Sequence, residues 1–118
     1  MNINVREESD ARIFALDGRL ELTTGKELKE KIKVSCDSGT TRIHLNLEQV
    51  EFINSSGLGA LISVMKEIRL VKGRLTLSTL APFVQEIFDI TQLAHIFEIH
   101  ETEQDAFASS ESVTVSQR

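Results

Sequence analysis

Apolar residues alternate with polar ones near the start of the chain and then recur every third or fourth position, and this change of period sets out the elements. Ile3 and Val5, then Ile13 and Ala15, alternate with polar neighbours. Ser9-Asp10 stands between the two runs, so the pattern predicts an opening β-hairpin. Gly18-Arg19-Leu20-Glu21 then leaves the second strand. Thr24-Gly25-Lys26-Glu27 has the form of a capping box, in which a hydroxyl and a carboxylate satisfy helix N-terminal donors reciprocally, and it predicts a helix start there. Leu28, Ile32 and Cys36 repeat every four residues along that helix, Lys26, Lys29, Glu30 and Lys33 fall on its wet side, and Ser38-Gly39 ends it.

Ile43, Leu45 and Leu47 alternate with Arg42, His44 and Asn46, which predicts a third strand buried on one face and polar on the other. A sheet covered on both faces would make its central strands continuously apolar, so the alternation places the helices mainly on one side. Phe52-Ile53 runs into a serine-containing turn. Leu58, Leu61, Ile62, Met65 and Ile68 then form the stripe of a second helix, closed by Lys72-Gly73. Leu75 and Leu77 mark a fourth strand, and Pro82, tolerated in a first helical turn, opens a third helix with Val84, Ile87, Phe88 and Thr91 inward. Ile96-Phe97-Glu98-Ile99 is a last strand, and Thr102-Glu103-Gln104-Asp105 caps a short final helix. The order β-β-α-β-α-β-α-β-α predicts an α/β domain over residues 1–108 whose mixed sheet has an N-terminal hairpin followed by parallel crossovers. Residues 109–118 are polar and expected to be a disordered tail.

Length limits this to one domain, since 118 residues support one core and not two. With 13 Lys and Arg against 18 Asp and Glu the net charge is −5, so no basic field exists to hold a nucleic-acid backbone. All the aromatic residues are Phe, mostly inside apolar patterns, which argues against a base-stacking platform. No apolar run is long enough to insert in a membrane and the N-terminus lacks an apolar signal region, so a cytoplasmic protein is expected. Cys36 stands alone on a helix stripe and is expected to pack as a small hydrophobe; a disulfide framework is excluded. His44, His95 and His100 lack partners at metal-ligand spacing and are expected as ordinary surface or edge histidines. Neither a metal nor a cofactor is predicted.

Chemistry concentrates in Asn54-Ser55-Ser56-Gly57-Leu58-Gly59, where a strand runs into hydroxyls at a helix N-terminus. Unpaired N–H groups and the positive end of the helix dipole favour a negative group there, and a phosphoserine fits. Three enzymatic motifs fail at this turn. Gly57-Leu58-Gly59 has Ile62 at the third glycine of a dinucleotide fingerprint, Lys66 lies too far along for a phosphate loop, and neither serine has the preceding glycine of a nucleophile elbow. Simple N-capping explains one hydroxyl, at about 1 kcal/mol. Two serines beside Gly57, Gly59 and Ala60 suggest in addition a low shelf that another protein approaches.

Taken in order, Gly18-Arg19-Leu20-Glu21 with Thr24, Leu45-Asn46-Leu47, Ser55-Ser56-Gly57-Leu58-Gly59, and Phe88-Asp89-Ile90-Thr91-Gln92-Leu93 before Ile96-Phe97 resemble the STAS-domain anti-sigma factor antagonist family over residues 3–107. The resemblance implies a STAS fold and a non-enzymatic switch. In that family the first Ser or Thr after an Asp is phosphorylated by a serine kinase that is also the anti-sigma factor; here that residue is Ser55, with Ser56 adjacent. The unphosphorylated antagonist binds the anti-sigma factor and releases its target, the phosphorylated one lets go, and a serine phosphatase resets it. The implied partner-binding residues are Glu21, Thr24, Asn54, Ser55, Ser56, Gly57, Leu58 and Gly59. Two departures stand out: Asn54 occupies the usual Asp position and loses a charge beside the acceptor, and Glu21 occupies another. STAS domains are also reused on non-sigma partners, such as two-component outputs, stressosome-like assemblies and transporter complexes, so fold alone leaves the partner open.

Overall fold

A computed structural model describes residues 1–108, and the expected tail at 109–118 lies outside the described residues. Five strands form one sheet in the order β1-β2-β3-β4-β5: β1 (Asn2–Glu8), β2 (Ala11–Leu20), β3 (Arg42–Ile53), β4 (Arg74–Ser78) and β5 (Glu98–His100). β1 and β2 are antiparallel, and every later neighbour is parallel. The hairpin turns at Ser9, whose φ is 58°. Between the parallel strands run α1 (Leu22–Asp37), α2 (Ser55–Leu70) and α3 (Pro82–Ile90), with a single 3₁₀ turn at Leu93–His95. Because the strands succeed one another in a single direction, crossovers of the usual right hand bring all three helices to one face.

On that face Phe14, Leu16, Leu45, Leu47 and Leu77 meet Leu28, Ile32, Leu61, Val64, Ile68, Val84 and Phe88, all nearly inaccessible. Cys36 packs against this core as expected, and burial raises its thiol pKa. The final helical segment, 103–108, lies on the opposite face. Its first turn is capped by the Thr102 hydroxyl, which accepts from Asp105 N–H at 3.0 Å, and Ala106 is buried beneath it.

That segment covers part of the second face, which is polar as expected along β3 to β5. Ala11 and Ile13 are buried on β2 together with Phe14 and Leu16, so this strand is covered on both sides. His44, expected at the surface or an edge, is 1 % exposed. Its Nδ1 lies 2.6 Å from Thr76 Oγ1, its Nε2 lies 2.7 Å from Ser78 Oγ, and the Phe107 ring tilts over it at 5.6 Å. A hydroxyl on each side lets neutral imidazole donate from one nitrogen and accept at the other, which is why a polar row is tolerated in a buried layer. As expected, His95 is exposed and His100 lies on the edge strand β5, where it is half-buried and bonded to Glu98 at 2.9 Å.

Candidate functional site

β2 and β3 end side by side, and the two helices that follow them start there. Irregularities in the β2–β3 register fall between Ala15 and Asp17 and between Gly18 and Arg19, after which Leu20 pairs with Ile53. Asn54 N–H donates to the Leu20 carbonyl at 3.3 Å, tying the start of one turn to the end of the other strand. Asn54 is the N-cap of α2: its backbone is extended and its Oδ1 accepts from Gly57 N–H at 2.9 Å. Ser55 and Ser56 are therefore the first two residues of the helix, where no carbonyl lies one turn behind their N–H groups. Both are exposed.

The start of α1 differs from the sequence expectation. The helix begins at Leu22, with Glu21 as N-cap and Thr24 in its first turn. Glu21 N–H donates to Thr24 Oγ1 at 2.9 Å and the Thr24 hydroxyl donates to the Arg19 carbonyl at 2.7 Å, so Thr24 pins the end of β2 to the helix. Glu27, the expected capping partner, is exposed further along. A Thr24→Ala substitution removes both bonds and is expected to cost about 0.5–2 kcal/mol of folding stability, read as a lower denaturation midpoint in urea. An unchanged midpoint would remove Thr24 from the account of this helix start.

Two close approaches lock the helix starts together. A Cβ on Gly57 would stand 2.2 Å from the Leu20 carbonyl oxygen, and one on Gly25 would stand 2.7 Å from the Ala60 Cβ. Gly57 and Ala60 are accordingly buried, so they set how closely α2 sits on β2 and α1 and do not form the exposed shelf expected of them. Gly59 is exposed, and a Cβ there would meet nothing within 4 Å; Leu58 is half-buried against the core. The structure thus gathers Glu21, Thr24, Asn54, Ser55, Ser56, Gly57, Leu58 and Gly59 at one end of the sheet, with an outer surface made by Ser55, Ser56, Asn54 and Gly59. Two parallel helix N-termini meet there, and both dipoles favour negative charge at the same spot.

Three neighbours escaped the sequence reading. Leu22 is 57 % exposed at the first position of α1, off the Leu28–Ile32 stripe. On the strand ends the Arg19 guanidinium lies over the Phe52 ring, 3.9 Å from its centroid, with its Nε 3.8 Å from a Glu21 carboxylate oxygen. Leu22 carried a signal, since it breaks the apolar period, whereas the Arg19–Phe52 contact depends on the β2–β3 register that only the fold sets. Among the described residues no cluster of ligating side chains is placed to hold a metal, and no helix is long and apolar enough to cross a membrane.

The STAS domain family matches residues 2–106. A Bordetella bronchiseptica protein named as a candidate anti-sigma factor antagonist, BtrV, is 31% identical over 97 residues, covering 82% of this chain and 84% of that protein. The anti-sigma-B factor antagonist of Staphylococcus aureus is 26% identical over 103 residues, covering 86% of this chain and 95% of that one. Among solved structures, the phosphorylated form of the Bacillus cell fate determinant SpoIIAA superposes with a TM-score of 0.72 at 24% identity, covering 92% of this chain and 99% of its own, and bears on the fold. The hairpin and the sequential parallel strands lie within the matched residues, which span nearly the whole described chain. The chain belongs to the STAS-domain family of anti-sigma factor antagonists, which are non-enzymatic regulators.

Proposed function

We propose that this chain is a phosphorylation-controlled protein-binding switch in the cytoplasm. Unphosphorylated, it binds an anti-sigma factor that is also a serine kinase, so that the sigma factor is released; phosphorylation at Ser55 ends that contact, and a serine phosphatase restores it. The observation that carries this reading is the position of Ser55, exposed at the first residue of α2 while the cap is supplied by Asn54. With capping done by Asn54, the Ser55 hydroxyl is left for a partner or a kinase. The SpoIIAA neighbour is known in a phosphorylated and an unphosphorylated form, which is in keeping with the same chemistry here.

Asn54 keeps the geometry of a capping residue without its charge. A kinase approaching Ser55 thus meets two helix N-termini with no carboxylate from that cap to offset them. On the neighbouring cap the Glu21 carboxylate accepts from the Thr24 N–H and places a negative group at the start of α1. Phosphopeptide mapping of protein recovered from its native cytoplasm tests the assignment, alongside pull-downs with wild type and Ser55→Ala read by mass spectrometry. Modification at Ser55 and capture of an anti-sigma factor by Ser55→Ala are expected. Exclusive modification of Ser56, or capture of partners without any anti-sigma factor, overturns it.

A further inference from the structure

β1 is the outermost strand, hydrogen-bonded to β2 alone, and six of its seven residues are exposed. Beside it a cleft between the hairpin and α1 is floored by Val5, Phe14 and Val34 and rimmed by Glu30 and Lys31. Val5 is 47 % and Val34 64 % exposed, large values for side chains at the mouth of an apolar cleft. A strand edge offers a row of backbone donors and acceptors to any second strand.

We propose that this edge is a contact between two copies of the chain, β1 pairing antiparallel with the β1 of a second copy about a twofold axis at Val5. The strand runs from Asn2 to Glu8, so an axis at its midpoint uses every residue. Asn2 then opposes Glu8, Ile3 opposes Glu7, Asn4 opposes Arg6, and Val5 opposes its own mate. Directly opposed residues share a face and interact, and like charges there are destabilising. The Val5 register opposes no like charges directly and leaves the two Arg6 side chains diagonal, each held by its own Glu103, whereas an axis at Arg6 or Glu7 opposes each to itself, and an axis at Asn4 leaves two residues unpaired.

Charges on an edge strand ordinarily guard it against such pairing. Here they are largely answered within each copy. Glu7 lies 3.4 Å from Arg12, and Arg6 is paired with Glu103 and lies 3.7 Å from Glu8. The cleft beside the edge carries exposed Val5 and Val34 and both signs of charge, Glu30 and Lys31, so an isologous contact offers each copy apolar surface and charges of both signs. β2 separates this edge from the strand that leads to Ser55, so the inference stands apart from the function proposed above.

Sedimentation velocity of the full chain from micromolar to millimolar concentration tests it. Wild type is expected to pass from monomer to dimer. Val5→Lys puts like charges on the axis while leaving the β1–β2 pairing, and is expected to raise the dissociation constant about tenfold or more with unchanged circular dichroism. In a Cys36→Ser background, diamide oxidation of Val5→Cys should give a covalent dimer, because residues meeting at the axis lie about 4.5–5.5 Å apart, within disulfide reach. Glu7→Cys in the same background should not. A wild type that stays monomeric, as it would if the edge served an extended segment of another protein, overturns the proposal. So do a Val5→Lys that dimerises like wild type and equal cross-linking at both positions.

Discussion

Phosphorylation of Ser55 is expected to weaken binding to the anti-sigma factor by roughly 30-fold to several-thousand-fold, from about 2–5 kcal/mol of unpaired interfacial charge. The same modification should leave the fold intact. A phosphate adds about −1.5 to −2 charges at pH 7, and at this position the N–H groups of the first turn of α2 and the positive end of that helix receive it, worth about 0.3–1 kcal/mol in its favour. Ser55 is exposed, so water solvates the charge in the free protein; a partner surface shaped to a hydroxyl cannot. The energetic asymmetry between the free and bound states would therefore suffice for the proposed switch, with no conformational change required.

Titration calorimetry with the purified anti-sigma factor, beside thermal melts of each form, separates the two effects. Ser55→Asp is expected to show a melting temperature close to wild type and a partial loss of affinity, since aspartate carries less charge than phosphate. Ser55→Ala should bind throughout. Should phosphorylated protein and Ser55→Asp both bind as tightly as Ser55→Ala, the serines are a helix start and nothing more. Leu22 adds a control: exposed beside the turn and outside the core, Leu22→Ala should weaken binding without lowering stability if the surface docks as proposed.

Much of this arrangement was legible because local periodicity and local chemistry agreed. The hairpin at Ser9-Asp10, the α2 stripe from Leu58 to Ile68, Pro82 in the first turn of α3 and the Thr102 cap each carry a signal that depends only on near neighbours. Where the reading missed, the deciding partner was distant in sequence. The α1 start moved to Leu22 because Thr24 bonds backward to Glu21 and Arg19, a mirrored form of the box that a forward search assigns to Glu27. Gly57 and Ala60 looked like a shelf until Leu20 and Gly25 were placed against them. His44 looked wet because alternation reports which side chains are polar and not what covers them. Among the described residues it is the 103–108 segment, far along the chain, that packs over His44 and Asn46 on that face.

That covered histidine makes folding stability depend on pH. Burial pushes the His44 imidazole down from 6.5 to about 4, with His100, Arg6 and Arg42 adding to the effect and the Glu103 carboxylate opposing it. An unfolded chain takes up a proton at this residue near 6.5, while the folded chain refuses it until about 4. The stability linked to neutral His44 is therefore complete above pH 6.5 and is lost progressively as pH falls towards 4. By linkage that amounts to about 3 kcal/mol over the whole window and about 2 kcal/mol between pH 7 and pH 5. Carboxylates act lower. Burial raises the Glu103 pKa, but hydrogen bonds from Asn46 and Arg6 outweigh it and hold the group below its usual 4.5, so its contribution is lost only as pH drops beneath that value. Urea denaturation at a series of pH values between 7.5 and 5 should thus show wild type weakening with acid and His44→Gln nearly flat over the same range. A flat wild-type profile, or a His44→Gln profile as steep as wild type, would show that His44 reaches solvent and that segment 103–108 does not cover it.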